Sequence, residues 1–199
     1  MSECIYKRGD GACRISTDGE VTEYCVERGL PVVIATTGQT EEELSMIRDA
    51  AGKIPVFFAS NYSLGVVFLI ETAKKAAALF PNAEIEIVET HHDRKIDAPS
   101  GTALSIAKAL QEVRGNAELN PGRSGIGKRT PTEIGIHSLR LGNIVGIHEV
   151  ILNTGTQSIT LKHEAFDRAL FADGALAAVR FMEGKDPGLY DMNCLMEES

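Results

Sequence analysis

Two kinds of hydrophobic pattern divide this chain. Up to about residue 80, short apolar runs alternate with segments whose apolar positions recur three and four residues apart. The spacing predicts a short helix over residues 21–28 ended by Gly29, and an apolar strand over 30–36. A helix over 41–51 with Leu44, Ile47 and Ala51 on one face follows, then a second buried strand over 55–60 and a long helix over 63–80. Strand and helix in alternation imply parallel pairing. Beyond residue 80 the pattern changes. Ala83-Glu84-Ile85-Glu86-Ile87-Val88-Glu89 alternates with period two, and residues 143–152 and 157–163 read as strands separated by the turn signal Asn153-Thr154-Gly155-Thr156. These point to a hairpin in a largely antiparallel sheet, and residues 166–182 to a closing helix. The fold class expected is α/β, a partial parallel layer followed by an α+β region with a mainly antiparallel sheet.

The densest chemistry lies where the period-two strand ends, in Glu89-Thr-His91-His92-Asp93-Arg94-Lys95-Ile96-Asp97-Ala98-Pro99-Ser100-Gly101-Thr102-Ala103. Adjacent strand residues point to opposite faces, so one of His91 and His92 can face a site while the other orients its surroundings, and a chelating pair is disfavoured. No Cys lies near them at zinc-ligand spacing. Pro99 disfavours helix at Ala98, Ser100 or Thr102 can cap, and residues 103–110 are strongly helical. A helix that begins after Pro-Ser-Gly-Thr offers backbone N–H groups and its positive dipole end, and Gly101 admits a ligand close to the backbone. Taken singly, a histidine doublet and a Ser-Gly-Thr cap are ordinary structural features. An imidazole, the Lys95 cation and a helix start within one turn region together read as a proton-donating site for a carboxylate or phosphate.

Glu-x-His-His-x-x-Lys-x-Asp-Ala-Pro-Ser-Gly-Thr-Ala resembles the signature of the dihydrodipicolinate reductase family. Val33-Ile34-Ala35-Thr36-Thr37-Gly38 resembles that family's Gly-Thr-Thr-Gly loop, and Phe58-Ala59-Ser60-Asn61-Tyr62-Ser63-Leu64-Gly65 its Ala-Asn-Phe-Ser-x-Gly loop. Ile134-Gly135-Ile136-His137, Arg140-x-Gly142-x-Ile144-Val145-Gly146-x-His148, Lys162-His163-Glu164-Ala165 with Arg168, and Gly184-Lys185-x-Pro187-Gly188-Leu189-Tyr190-Asp191-Met192 follow in family order. The resemblance implies NADPH- or NADH-dependent reduction of 4-hydroxy-tetrahydrodipicolinate to tetrahydrodipicolinate in the diaminopimelate route to lysine. It implies His91 as general acid, Lys95 as the second catalytic residue, and His92, Ser100, Gly101 and Thr102 as substrate contacts. Ala35, Thr36, Thr37, Ala59, Ser60, Asn61 and Tyr62 are implied at the nicotinamide end of the cofactor. Arg168 is either a further cofactor contact or a surface ion-pairing arginine. Ala35 stands where the family usually has Gly, and Ser60 and Tyr62 are mild departures. No metal is implied. A small dicarboxylate substrate and a homotetramer built through the second domain's sheet are.

The family opens on a Rossmann unit with a glycine-rich turn. Gly9-Asp10-Gly11 is the only glycine pair near the N-terminus, it follows no buried strand, and Asp10 would put a carboxylate where phosphate belongs. Residues 1–20 therefore read as a polar lead-in, 21–62 as a truncated Rossmann-like dinucleotide-binding portion, 63–165 as the substrate-binding and oligomerisation domain, and 166–199 as a C-terminal helix and tail returning to the first layer. On this reading cofactor affinity is low, and the alternative to a working reductase is a catalytically impaired relic that only binds dicarboxylate or oligomerises. A net charge of −8 argues against general polyanion or nucleic-acid binding. Neither a signal peptide nor a membrane-length apolar run is found, and Cys4, Cys13, Cys25 and Cys194 have neither metal-like nor disulfide-framework spacing, which points to a reducing cytoplasm. A Cys4–Cys13 pairing stays open. The run Asn120-Pro121-Gly122-Arg123-Ser124-Gly125-Ile126-Gly127-Lys128-Arg129 reads as a flexible basic loop, either solvated or near substrate or a subunit interface; it does not match a P-loop.

Overall fold

The structure is a computed structural model and describes residues 16–198. Residues 1–15, and with them Cys4, Cys13 and the Gly9-Asp10-Gly11 turn, lie outside the described residues. In chain order the elements are α1 (Ser16–Arg28), β1 (Val32–Ile34), α2 (Glu41–Ala51), β2 (Pro55–Phe58), α3 (Leu64–Leu79), β3 (Glu84–His91) and α4 (Gly101–Arg114). They continue with β4 (Glu118–Pro121), β5 (Glu133–Arg140), β6 (Gly146–Asn153), β7 (Ser158–Ala165), α5 (Ala169–Phe181), β8 (Gly188–Tyr190) and α6 (Met192–Glu197). No described helix is long and apolar enough to cross a membrane. The chain divides into two compact units, one of residues up to Tyr62 together with Phe171 onward, the other Ser63–Leu170.

In the first unit β1, β2 and β8 form a parallel sheet in that order, with Val32 opposite Val56 and Val56 opposite Leu189. The predicted parallel pairing of the two buried strands is what the sheet contains. Val32, Ile34 and Val56 pack with Cys25 of α1 and Ile47, Ala50 and Ala51 of α2. Phe57, the next residue of β2, faces the other way onto Tyr62 and Phe181. Thr40 and Glu43 start α2 with a reciprocal capping box. Helix α1 begins at Ser16, a turn or more before the predicted 21. Its first residues are polar and read as loop, but a helix held by the burial of Thr22 and Cys25 extends past its apolar stripe. Strand β8 is three residues long, too short to leave a periodic signal.

In the second unit the sheet order is β4-β5-β3-β6-β7. It is mixed rather than mainly antiparallel: β3 is parallel to β5 and β5 to β4, while β3–β6 and β6–β7 are antiparallel. The hairpin was legible because it is local. The parallel pairs are made across α4 and across the 122–132 connection, and no short-range pattern encodes them. Ile85, Ile87, Ile134, Ile136, Val150 and Leu152 line the face packed against Ala73 and Ala77 of α3 and Ile106 and Leu110 of α4. Each of the Ile, Leu and Val side chains among these, fully buried, contributes on the order of 1.5–3 kcal/mol.

The basic loop is anchored. Arg123 donates through Nε to Glu133 Oε1 at 2.9 Å and through its guanidinium to Glu86 Oε1 at 2.8 Å, and Arg129 reaches Glu86 and the Ile85 carbonyl. Glu86 and His91 are five positions apart on β3, roughly 16 Å along the strand, so these contacts fix the opposite end of the strand from the histidines. Gly174 of α5 lies so close to Tyr62 that a Cβ would overlap the Tyr62 carbonyl oxygen. Gly174→Ala is expected to destabilise the first unit by about 1–3 kcal/mol, read as a lower midpoint in urea with the slope unchanged; an unchanged midpoint would show that α5 does not need this close approach.

Candidate active site

Strand β3 carries Ile85, Ile87, Glu89 and His91 on one face, since side chains repeat every second residue. The first two are core. The third places a carboxylate with no solvent exposure at the end of an apolar row, and a buried anion is tolerated only when it is paired and hydrogen-bonded. Register supplies the partners. Ser138 lies beside Glu89 and Arg140 beside His91 on β5, and His148 lies opposite Glu89 on β6. Arg140 forks onto the carboxylate, Nη1 to Oε2 and Nη2 to Oε1, both at 2.9 Å. The Ser100 N–H donates to Oε1 at 3.1 Å and His91 Nδ1 lies 2.5 Å from Oε2. Burial opposes the Glu89 anion, yet Arg140, Ser138, His91 and the Ser100 N–H together hold its carboxyl down to about 2.

An ionised carboxylate only accepts, so Nδ1 of His91 carries the hydrogen and Nε2 is left for other chemistry. That nitrogen sits where Gly146 has no side chain: a Cβ there would be 3.1 Å from it. The His148 ring stands edge-on to His91 with centroids 5.2 Å apart. Burial, aided by the neighbouring His91, pulls His148 down to about 4. His148 is thus neutral near pH 7, and its Nε2 lies 3.2 Å from the Ser100 hydroxyl.

The turn after β3 is tied back to the sheet. The Asp93 N–H donates to Gly142 O, and the Asp97 carbonyl accepts from Arg140 Nη2 at 2.5 Å. Lys95 Nζ lies 2.8 Å from Asp97 Oδ1, and Lys95 draws the Asp97 carboxyl below its usual range. His92, on the opposite face from His91, has Nε2 3.4 Å from Arg168 Nη2; lost hydration and the Arg94 and Arg168 cations lower it. The Ala98-Pro99 peptide is cis. Ser100 caps α4, its hydroxyl accepting from the Ala103 N–H at 3.2 Å. Ser100, expected at the ligand, has its hydroxyl on the cap and His148 and its N–H on Glu89. Gly101 is exposed, with open space around its Cβ position, and Thr102 is half-buried beside it.

In the first unit, Ala35, Thr36 and Thr37 follow β1, and Ala59, Ser60, Asn61 and Tyr62 follow β2. Because these strands are parallel and in register, both loops leave the carboxyl edge of the sheet, where open α/β sheets bind ligands. Ala35, Thr37 and Ser60 are exposed. Gln39 Nε2 braces the first loop, donating to Thr36 O at 2.9 Å. Tyr62 departs from expectation: its ring is buried and its hydroxyl donates to the Ile34 carbonyl at 2.7 Å, with burial raising the phenol above its usual range. Its side chain ties the loop after β2 to the end of β1. Arg168, grouped by sequence with the cofactor loops, belongs to the second unit and lies at His92.

Glu89, Arg140 and His148 were quoted only as motif letters. Glu89 alone carried a signal: it occupies the inward phase of the Ile85-Ile87 row, where an acid needs a partner. Its folded carboxyl sits near 2 against an ordinary 4.5, so its contribution to stability is full above pH 4.5 and is lost as pH falls through about 2. That contribution is about 3 kcal/mol. Stability of the wild type is expected to decline between pH 4.5 and 2, and Glu89→Gln to flatten that decline in denaturant titrations; parallel curves would show that the carboxylate is not the group responsible.

Comparison with known proteins bears on both units. The family model for the dihydrodipicolinate reductase N-terminus matches residues 16–62, and that for the dihydrodipicolinate reductase C-terminus matches residues 65–196. The 4-hydroxy-tetrahydrodipicolinate reductase of Clostridium tetani is 43% identical over 185 residues, covering 92% of this chain and 72% of that protein. The Caldanaerobacter subterraneus protein of the same name is 47% identical over 180 residues, covering 89% and 72%. A solved structure, dipicolinate-bound dihydrodipicolinate reductase from Paenisporosarcina sp. TG-14, has a TM-score of 0.74 at 31% identity and covers 90% of this chain and 70% of that one. With family models matched across both units and reductases of this identity along most of its length, the chain belongs to the dihydrodipicolinate reductase family.

Proposed function

We propose that this chain reduces 4-hydroxy-tetrahydrodipicolinate to tetrahydrodipicolinate with NADPH or NADH. The observation that carries the reading is the buried Glu89–His91 pair at the end of β3, next to the Lys95 turn and the start of α4. The nicotinamide, when bound, supplies a hydride to a ring carbon of the substrate. The partly exposed loops Ala35–Thr37 and Ala59–Asn61 fit that end of a dinucleotide, with Tyr62 and Gln39 holding them. The first unit is then the dinucleotide-binding portion and the second the substrate-binding one.

Hydride addition leaves an electron-rich ring that must take a proton. The doubly protonated His91 ring delivers it from Nε2 and keeps its Nδ1 hydrogen on Glu89, and the ring cannot turn without breaking that bond. Lys95 holds a substrate carboxylate. Its partner in the structure is Asp97, half-exposed, and an exposed ion pair of this kind is worth only about 0.2–1 kcal/mol, so exchanging it for a dianion costs little. Gly101 and Thr102 present the first turn of α4 to the same group, and His92 with Arg168 flanks it. Ser100 acts from behind, through the cap.

Lys95→Ala is expected to weaken pyridine-2,6-dicarboxylate binding by about 1.5–3 kcal/mol, seen as a smaller thermal shift than wild type at equal ligand. Equal shifts would remove Lys95 from the site. His91→Ala is expected to lower turnover by roughly 10²–10⁴-fold while leaving that binding nearly intact.

The homo-oligomer belongs to the same proposal. Val88, Ile147 and Ile151 are half-buried on the sheet face opposite the α3–α4 core, and β7 is an edge strand with its outer row free to pair. Light scattering at micromolar concentration should give a multiple of 21.5 kDa; the monomer mass would count against it.

A further inference from the structure

We propose that Arg140 is a positioning residue for the reduction, holding the Glu89 carboxylate and the Asp97 carbonyl at once so that the His91 ring, the Lys95 turn and the start of α4 are set as one unit. This rests on the reading of His91 as the proton donor.

The geometry is specific to arginine. Arg140 sits beside His91 in the β3–β5 register, and its two terminal nitrogens reach both Glu89 oxygens at 2.9 Å. Nη2 also donates to Asp97 O at 2.5 Å, and Nη1 to Leu139 O at 2.7 Å. A planar fork can serve a carboxylate and two carbonyls together; an ammonium cannot hold this set in one orientation. Glu89 in turn reaches His91 Nδ1 and the Ser100 N–H. Among the described residues Arg140 is therefore the side chain that joins the acid, through Glu89, to the turn bearing Lys95, through Asp97. None of its contacts reaches the space beside Nε2 of His91, so it acts through other residues.

The charged and titratable groups around His91 are Glu89 on its own strand, His92 next to it, Arg140 from β5, His148 from β6 and Lys95 from the turn; α4 brings its N-terminus and no acidic side chain in its first turn. Arg140 shares Glu89 with His91. Removing the Arg140 cation leaves the carboxylate to His91 alone, which then holds its proton more tightly, and removing the carboxylate does the reverse.

The test uses the full chain with Arg140→Lys, Arg140→Gln, Glu89→Gln and His91→Ala, checked for folding by circular dichroism. Arg140→Lys is expected to lower kcat by about tenfold or more and to weaken pyridine-2,6-dicarboxylate binding several-fold. Arg140→Gln should move the alkaline limb of the kcat profile up by roughly one pH unit, and Glu89→Gln should move it down. A merely structural arginine would lower kcat evenly and leave the limb in place. Nitrogen-15 resonances of the imidazoles give a readout without turnover: Nδ1-protonated His91 in wild type, a larger share of the doubly protonated ring at equal pH in Arg140→Gln, and a mixture of tautomers in Glu89→Gln. Wild-type turnover, limb and imidazole protonation in the folded Arg140 variants would overturn the inference even with His91→Ala inactive. Full activity of His91→Ala would instead overturn the reading of His91, with the imidazole protonation and dicarboxylate binding still deciding the role of Arg140. Failure of both Arg140 variants to fold would also overturn it, since the side chain would then serve folding alone.

Discussion

A carboxylate with no solvent exposure cannot stay charged unless its surroundings replace water, and Glu89 is that carboxylate. Its oxygens are met by a guanidinium from β5, a backbone N–H from the start of α4 and an imidazole from its own strand. Loss of any one donor leaves part of a buried charge unpaired, which costs several kcal/mol. The strand end, helix start and neighbouring strand are therefore mutually constrained, and the placement of His91 follows. The anion persists because the favourable contacts outweigh its burial, which is why its carboxyl falls to about 2 instead of rising.

The same constraint explains why the two histidines of the doublet differ. The period of two puts His91 on the Glu89 face and His92 on the other. His91 gains a carboxylate partner; His92 faces the Arg168 and Arg94 cations and is held toward its neutral form. The pleat converts adjacent identical residues into different chemical groups. A second economy appears at Ser100, whose hydroxyl caps α4 while its N–H serves Glu89. Capping ordinarily stabilises a helix by about 1 kcal/mol; here it also fixes where the helix dipole begins relative to the acid.

What was legible in the sequence was local. The alternation over 83–89 located β3, Pro99 and Ser100 located the start of α4, and the apolar runs located β1 and β2. These signals lie within a few residues of the structure they specify. Glu89 and Arg140 are 51 residues apart, and Ser100 and His148 are 48. Such pairs exist only through strand register, and a one-residue slip would turn Arg140 to the other face. The contacts of Tyr62 and Arg168 were not legible for the same reason. Tyr62 lies in a loop but its hydroxyl reaches the Ile34 carbonyl, and Arg168 lies near α5 in sequence but beside His92 in space. The basic loop looked mobile because its composition is that of solvated loops, while its arginines are held by Glu86 and Glu133. The resemblance to a known family carried the roles of His91 and Lys95, which periodicity alone did not assign.

The neutral state of His148 completes the electrostatics. Had its ring been charged 5.2 Å from His91, two cations and Arg140 would compete for one carboxylate, and a proton on His91 would be repelled. Burial prevents this by pulling His148 to about 4. The ring then fills the space beside His91 and meets the Ser100 hydroxyl without adding charge. Two imidazoles in contact are thereby given separate tasks, one packed as a neutral wall and one poised on a carboxylate with Nε2 toward Gly146. Environments that push neighbouring titratable groups apart are how a single site assigns its acid, and in this protein the division is made by two positions on adjacent antiparallel strands.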